Sequence, residues 1–424
     1  MKKVIVAFLV LFSINSMFSQ CWKEISGGGF DGINHSLAIR TDGTLWAWGR
    51  NNEGQLGDGT TISNNAPIQI GNDTNWLSIS AGVSSSVALK TDHTLWSWGD
   101  NVTNFPVQIS MDSDWQKISC GQSNNFAIKT NGTLWTWTQN SPIPIQIGVD
   151  SNWKTISSNL GLIHAIKTNG TLWGWGSNYY GGIGDGTTIN KSNPVQIGVD
   201  ADWDKISNGE QCGFAIKTNG TLWAWGWNND SQLGDGTTID KLNPIRLGTD
   251  TDWSMISTKY HFTMALKNNN TLWMWGGSWM GNNANHIPTQ LGTENNWSKI
   301  TTGGANLALA LKSNNTLWDF SQNPNPPTQI SCISLNFNDF VQEENYLVYP
   351  NPAKSDFTIE MLNEYVNDGK ILRILNPLGQ LVFSTKINQK KINISIDKYQ
   401  RGIYFIEIIK KNTQVLSIKK IIFQ

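Results

Sequence analysis

The stretch "SLAIRTDGTLWAWG", residues 36–49, decides the fold. Two runs that alternate between apolar and small or polar residues flank Asp42-Gly43, and an Asp-Gly or Asn-Gly pair between such runs is the strongest short-range signal of a β-hairpin. The expected turn is type I′, which needs positive φ at both central residues. The plan then recurs. "TLW" begins at Thr44, Thr94, Thr133, Thr171, Thr221, Thr271 and Thr316, and the two residues before it are Asp-Gly, Asp-His, Asn-Gly three times, and Asn-Asn twice.

Each hairpin has a further strand on either side. Upstream, "WKEIS", "WLSIS", "WQKIS", "WKTIS", "WDKIS", "WSMIS" and "WSKIT" begin at Trp22, Trp76, Trp115, Trp153, Trp203, Trp253 and Trp297. Downstream, short segments such as "PIQIG" and "PVQIG" start with Pro, which suits the first position of an edge strand because no ladder bond is lost there. Each copy is therefore a four-stranded sheet too thin to bury both of its faces alone. Seven such sheets stacked around an axis make a seven-bladed β-propeller, with an open solenoid as the alternative. One Ala stands eight residues before each TLW tryptophan, at Ala38, Ala88, Ala127, Ala165, Ala215, Ala265 and Ala310. A small residue at a fixed place suits close sheet packing or the narrow inner end of a blade.

Composition agrees with an all-β chain. Among 424 residues there are 22 Trp and 40 Gly but only 15% charged residues, which favours aromatic packing joined by tight turns over amphipathic helices. The opening "MKKVIVAFLVLFSINSMFSQ", residues 1–20, has the basic start, short apolar run and polar exit of a secretory signal peptide, and no transmembrane segment is expected. Cys21 follows at once, but Gln20 stands where a lipoprotein cleavage site wants a small residue.

The pattern Trp-x-x-Ile-Ser followed by "HSLAIRTDGTLWAWGRNNEGQLGDGT" resembles the repeats of the regulator of chromosome condensation family over residues 21–333. The resemblance implies a seven-bladed propeller. It does not imply the nucleotide-exchange activity of the eukaryotic founder, because the shared residues are frame residues. The family's repeat His is matched only at His35, and copies two, three and seven lack the "GQLGDGT" segment.

Residues 334–345 read as a polar linker, after which Trp disappears and the charge inverts. Residues 346–424 carry 12 Lys or Arg against 6 Asp or Glu, whereas residues 21–345 carry 17 against 26. Period-two alternation between turns suggests a small C-terminal antiparallel β-sandwich. Its sequence is similar to the type A C-terminal sorting domain of the type IX secretion system of Bacteroidetes, on Tyr349-Pro350-Asn351-Pro352, Gly379 and Gly402-Ile403-Tyr404. That resemblance implies secretion or cell-surface attachment, with the secretion machinery as one partner.

Candidate chemistry is sparse. Asp58, Asp185 and Asp235 in the "GDGT" loops bring one carboxylate each, too few for calcium, and read as turn caps. His35, His93, His164, His261 and His286 occupy unlike repeat positions with no metal-ligand spacing and read as core or loop residues. No metal, cofactor or catalytic residue is assigned. Cys21 precedes the first strand of copy one and Cys332 follows the last strand of copy seven, so closing the ring should join them in a disulfide, while Cys120 and Cys212 read as buried free thiols.

Variable positions inside a constant frame are the better site candidates. Those beyond the second TLW-region Trp differ between copies, and Tyr179, Tyr180, Trp227, Trp279 and Met280 are expected to form a contact patch, since exposed aromatics on loops dominate recognition. The function read from the sequence is a secreted or cell-surface, monomeric binding module for a protein or glycan partner. The alternatives are an extracellular enzyme acting on polysaccharide or peptide with residues from several blades, or an inhibitor of such an enzyme. A net acidic propeller disfavours nucleic acid.

Overall fold

The computed structural model describes residues 21–100, 103–277, 286–304, 307–321, 326–331, 346–361, 370–376, 381–409 and 415–423. The chain forms two units, residues 1–330 and 331–424, and no helix occurs among the described residues. The first unit holds seven antiparallel four-stranded sheets, each made of consecutive strands in chain order. Blade 1 comprises Trp22–Phe30, Ile33–Arg40, Leu45–Gly49 and Asn64–Ile70. Blades 2 to 7 begin at Trp76, Trp115, Trp153, Trp203, Trp253 and Trp297, so repeat and blade coincide.

The ring is closed, which removes the solenoid alternative. In every blade a hydroxyl late in the first strand accepts the backbone N–H of the next blade's first strand. Ser26 serves Ala81, Ser80 serves Cys120, Ser119 serves Ser158, Ser157 serves Asn208, Ser207 serves Thr258 and Ser257 serves Thr302, at 2.9–3.1 Å. Thr301 completes the circle by accepting Gly27 N–H at 2.8 Å. This is the reason for the repeated Ile-Ser. Ser207→Ala should leave the buried Thr258 N–H without its acceptor and cost about 1–3 kcal/mol, measurable by chemical unfolding.

The core lies between blades. Leu37, Ile39, Leu45 and Ala47 of blade 1 pack on Trp76, Ile79, Ala88 and Trp98 of blade 2, and the same partition recurs around the ring. Ala88 and its six counterparts are fully buried at this seam, so their smallness serves close sheet packing.

The hairpins differ from the expected type I′ turn. Gly43 N–H donates to Arg40 O and Arg40 N–H to Thr44 O, both at 3.0 Å, which is a three-residue loop. Only its last residue has positive φ, 81° at Gly43. A single left-handed position explains why His93, Asn270 and Asn315 are accepted there at 61–62°. The preceding Asp or Asn caps the loop by accepting the Thr hydroxyl at 2.6–2.7 Å, and that hydroxyl accepts the indole N–H of the TLW tryptophan at 2.8–3.0 Å. The Asx Oδ1, the Thr hydroxyl and the tryptophan N–H of "Asx-x-Thr-x-Trp" are thus bonded in every copy.

A basic residue completes each blade. Arg40, Lys90, Lys129, Lys167, Lys217, Lys267 and Lys312 each sit over two tryptophan rings, 3.5–5.1 Å from the centroids. The six lysines also pair with an acidic residue at 2.7–2.8 Å.

The second unit has one sheet of Tyr346–Tyr349, Asp356–Met361 and Lys391–Ser395 and another of Leu381–Lys386, Ile371–Leu375, Gly402–Ile409 and Val415–Phe423. Phe357, Ile359, Leu372, Ile374, Ile406 and Phe423 share its core, as the period-two pattern requires of a sandwich.

Candidate ligand-binding face

First and third strands of a blade run the same way, so the connections that follow both emerge on one face of the propeller. The long connections after the third strand are held by an asparagine. Asn178 Nδ2 donates to Asp185 Oδ1, Thr187 O and Ile189 O at 2.9–3.2 Å while its Oδ1 accepts Ile183 N–H at 2.8 Å, and Asn51 and Asn228 do the same in blades 1 and 5. Asp58, Asp185 and Asp235 cap the following Thr N–H at 3.0 Å. Asp185 and Asp235 also pair with Lys191 and Lys241.

On this frame the structure brings Tyr180 and Trp227 together, with ring centroids 5.6 Å apart and planes 32° apart. Trp227 meets His261 at 5.2 Å, His261 meets Tyr260 at 3.7 Å, and Tyr260 meets Phe30 edge-on at 5.2 Å. The result is an aromatic arc from blade 4 through blades 5 and 6 to blade 1. Tyr179 is 70% exposed beside it. Trp279 and Met280 lie outside the described residues.

Carboxylates line the arc. His261 Nδ1 lies 2.5 Å from Asp230 Oδ2, an approach by which the carboxylate favours a protonated ring. Burial nevertheless holds the imidazole below its ordinary pKa, against the pull of Asp230 and Asp31. Burial, then Glu210 and Asp31, raise the Tyr260 phenol. Glu210 is half-buried, its Oε2 has no hydrogen-bond partner among the described residues, and burial followed by Asp230 and Asp31 raises its pKa. A carboxyl whose pKa rises on folding favours the folded state below its ordinary range and loses that contribution as pH climbs through the raised value. Glu210→Gln should therefore melt with the wild type near about pH 3 and above it near about pH 8. A variant less stable at the higher pH would reveal a favourable partner for the carboxylate.

Four members of this face, Phe30, Asp31, Glu210 and Tyr260, escaped the sequence reading, and a fifth, His261, was read there only as a core or loop residue. A signal was present. Six residues after the tryptophan that opens the first strand, five blades carry glycine, Gly28, Gly82, Gly121, Gly209 and Gly303, where neighbouring backbones approach so closely that a Cβ on Gly28 would lie 2.2 Å from Gly82 O. Blades 4 and 6 depart with Asn159 and Lys259. Asn159 Nδ2 donates to Lys259 O at 2.7 Å, and Lys259 Nζ crosses the axis from blade 6 to donate to Ala81 O of blade 2 at 3.2 Å. Burial lowers the pKa of its amine. Tyr260 and His261 are the next two residues, positioned by that departure.

Of the cysteines, Cys120 and Cys212 are free and buried, with thiols pushed up to about 11 and about 12 chiefly by burial. Cys332 lies outside the described residues. His35 and His164 are core residues, His35 lowered to about 3 chiefly by burial. In the second unit Asn351 Oδ1 accepts Ile422 N–H at 3.0 Å, Tyr349 OH donates to Glu360 at 2.7 Å, and Tyr404 stacks on Phe423 at 4.2 Å. The "YPNP" segment, Tyr349 to Pro352, thereby fastens the last strand through Asn351, and Gly402 opens its partner strand. Gly379 lies outside the described residues.

Comparison with known proteins matches these parts. Residues 42–89, 169–216 and 219–266 match the regulator of chromosome condensation (RCC1) repeat, residues 76–103 match a second description of that repeat, and residues 347–424 match the secretion system C-terminal sorting domain. Among solved structures, Prp20p from Saccharomyces cerevisiae is similar with a TM-score of 0.60 and 17% identity over 67% of this chain and 80% of that one. Human WBSCR16 is similar with a TM-score of 0.57 and 17% identity over 67% and 85%. These likenesses concern the fold alone. Protein RCC2 of Homo sapiens is 49% identical over 47 residues, 11% of this chain and 9% of that protein. Ulvan lyase NLR42 of Nonlabens ulvanivorans is 36% identical over 76 residues, 18% and 14%. Beta-agarase A of Zobellia galactanivorans is 28% identical over 92 residues, 22% and 16%. The chain spans less than a fifth of the length of these curated relatives. No helix among the described residues is long and apolar enough to cross a membrane. The chain is a propeller of regulator of chromosome condensation repeats joined to a C-terminal sorting domain that directs it to secretion or to attachment at the cell surface.

Proposed function

We propose that the propeller is an extracellular binding module that takes a protein or glycan partner on the face bearing Tyr180, Trp227, Tyr260 and His261, with Tyr179 at its margin. The observation that carries this reading is the aromatic arc joined across blades beside the unpartnered carboxylate oxygen of Glu210. Aromatic planes next to hydrogen-bonding carboxylates suit sugar rings as well as the apolar and basic anchors of a protein. In this reading residues 1–20 are removed as a signal peptide and residues 21–333 form the exported propeller, with residues 334–345 as linker and residues 346–424 as the sorting domain. The clasp between Cys21 and Cys332 belongs to the same proposal, supported by two free cysteines elsewhere and by Cys21 not being a free thiol.

A binding screen of the full chain against envelope glycans, extracellular polymers and culture supernatant tests it. Tyr180→Ala and Trp227→Ala should each weaken the interaction found by about 1–3 kcal/mol while leaving the melting transition in place. Unchanged binding by the double variant would remove this face from recognition. A second reading, an enzyme acting on polysaccharide or peptide, rests on the raised pKa of Glu210 next to Asp230 and Asp31, the arrangement expected of a general acid. A ligand recovered chemically altered, and unaltered after Glu210→Gln, would put that reading first.

A further inference from the structure

Between blades 3 and 4 lies an open cavity of about 500 Å³ walled by Phe126, Thr136, Ile163, Trp175, Lys191 and Ser192. At three other blade boundaries the same place is filled by the chain itself. From blade 1, Leu56 is fully buried, Gln55 O accepts the Trp98 indole N–H at 2.9 Å and Gly59 N–H donates to Asn104 O at 2.7 Å. From blade 4, Ile183 is fully buried, Gly182 O accepts Trp225 Nε1–H at 2.8 Å and Gly186 N–H donates to Leu242 O at 2.9 Å. From blade 5, Leu233 is fully buried and Gly236 N–H donates to His286 O at 2.8 Å.

Blade 3 has no such segment. Its third and fourth strands, Leu134–Thr138 and Ser141–Gln146, are joined by Gln139 and Asn140 alone, where blade 4 uses residues 177–190. The walls of the slot are nevertheless built as in the filled ones. Trp175 occupies the register of Trp98, Trp225 and Trp275, opposite the residue two before the blade's alanine. Phe126 packs against Trp175 at 6.2 Å just as Phe214 packs against Trp275 at 6.2 Å. Ser192 stands two residues before its strand's proline, the place of Asn104 and Leu242. Trp175 packs among Phe126, Trp153 and Ile163, and among the described residues no acceptor meets its indole N–H.

We propose that this slot is a peptide-binding site, separate from the aromatic arc, for a partner polypeptide presenting a tight glycine-flanked turn that carries one Leu or Ile. The partner's carbonyl accepts the Trp175 N–H, its apolar side chain fills the space beside Phe126 and Ile163, and an N–H of its turn reaches Ser192 O. The sibling occupants "GQLG" and "GGIG" at residues 54–57 and 181–184 define the whole of this chemistry, while "SQLG" at residues 231–234 shares the apolar residue and the turn N–H but leaves the Trp275 indole N–H without an acceptor among the described residues. A second copy of the chain does not supply it, because each of its own three segments is already seated.

The probe is a disulfide-cyclised peptide with the sequence of residues 178–190, whose ends adjoin in the protein, Asn178 N–H donating to Asn190 Oδ1 at 2.8 Å. Calorimetric titration into the full chain should give saturable one-site binding. Trp175→Phe keeps an aromatic ring on the wall, though a smaller one than indole, removes the donor and should weaken it at least about tenfold. The Ile183→Asp peptide should not bind, nor should a chain whose Gln139-Asn140 turn is replaced by the sequence of residues 177–190. Tyr180→Ala/Trp227→Ala should bind the peptide as the wild type does, which separates this site from the arc. Absence of saturable binding to the wild type at millimolar peptide overturns the proposal, and so does equal affinity in Trp175→Phe, a result that stands whether or not the grafted chain folds.

Discussion

Trp203→Ala should lower the stability of the propeller by about 3–5 kcal/mol. The ring is 3% exposed and lies edge-on to Trp223 at 5.7 Å and to Trp225 at 6.4 Å. Removing it opens a cavity at the seam with blade 4, whose Leu162, Ile166 and Leu172 share its cluster. It also takes one of two faces from the Lys217 ammonium, which sits 4.7 Å from the Trp203 centroid and 4.8 Å from that of Trp223. Lys217 keeps Asp200 and Asp202 at 2.7 and 2.9 Å, so the charge stays paired and the loss is chiefly one of packing. Chemical unfolding followed by far-ultraviolet circular dichroism measures it. Trp227→Ala, on the candidate face, should stay within about 1 kcal/mol of the wild type. Equal losses from the two substitutions would erase the distinction between frame and site.

The second large effect is expected at the ring's closure. Blades 7 and 1 share no strand. They meet through Gly27 N–H on Thr301, Trp22 N–H on the Asn315 carbonyl at 3.1 Å, and the Lys299–Glu24 pair, which are also the kinds of contact made at other seams. A Cys21–Cys332 bond would close a loop of 312 residues. Restricting an unfolded chain over that length corresponds to about 5–6 kcal/mol in the chain-entropy treatment. Cys21→Ser/Cys332→Ser should therefore unfold at distinctly lower denaturant than the native oxidised protein, and reductant should lower the oxidised protein to the same midpoint. Alkylation of Cys21 in the native secreted protein without reductant would rule the clasp out.

Much of the frame was legible because each blade repeats the same local solution. The period and the strand order follow from Trp-x-x-Ile, Asx-x-Thr-Leu-Trp and the proline-led edge segments, whereas the coincidence of repeat and blade was decided by the structure. The turn type was misjudged because Asp-Gly and Asn-Gly serve both two-residue and three-residue hairpins, and Asp-His and Asn-Asn favoured the latter by needing only one left-handed residue. The serine ring and the lysines between tryptophans were visible as recurrences, yet their roles depend on neighbouring blades that the local sequence does not name.

The candidate face was legible in part. Tyr180 and Trp227 stood out as variable residues on a fixed frame, and their stacking joins blades 4 and 5. Glu210, Tyr260 and His261 lie in the turns that follow first strands, 17 or more residues from Tyr180 and Trp227, and became neighbours of the arc only because these turns and the loops after third strands emerge on one face. The slot beside Trp175 is likewise a property of two blades at once, since a short turn in blade 3 leaves a vacancy against a wall supplied by blade 4. The sequence by itself determined the all-β character, the seven blades and the C-terminal sandwich, because these rest on periodicities and turn residues acting within a few positions, while the sorting domain was legible only through its resemblance to a known family. Tertiary structure alone decided ring closure, the aromatic arc and the open slot, because each arises from groups on different blades whose approach is set by the packing of whole sheets.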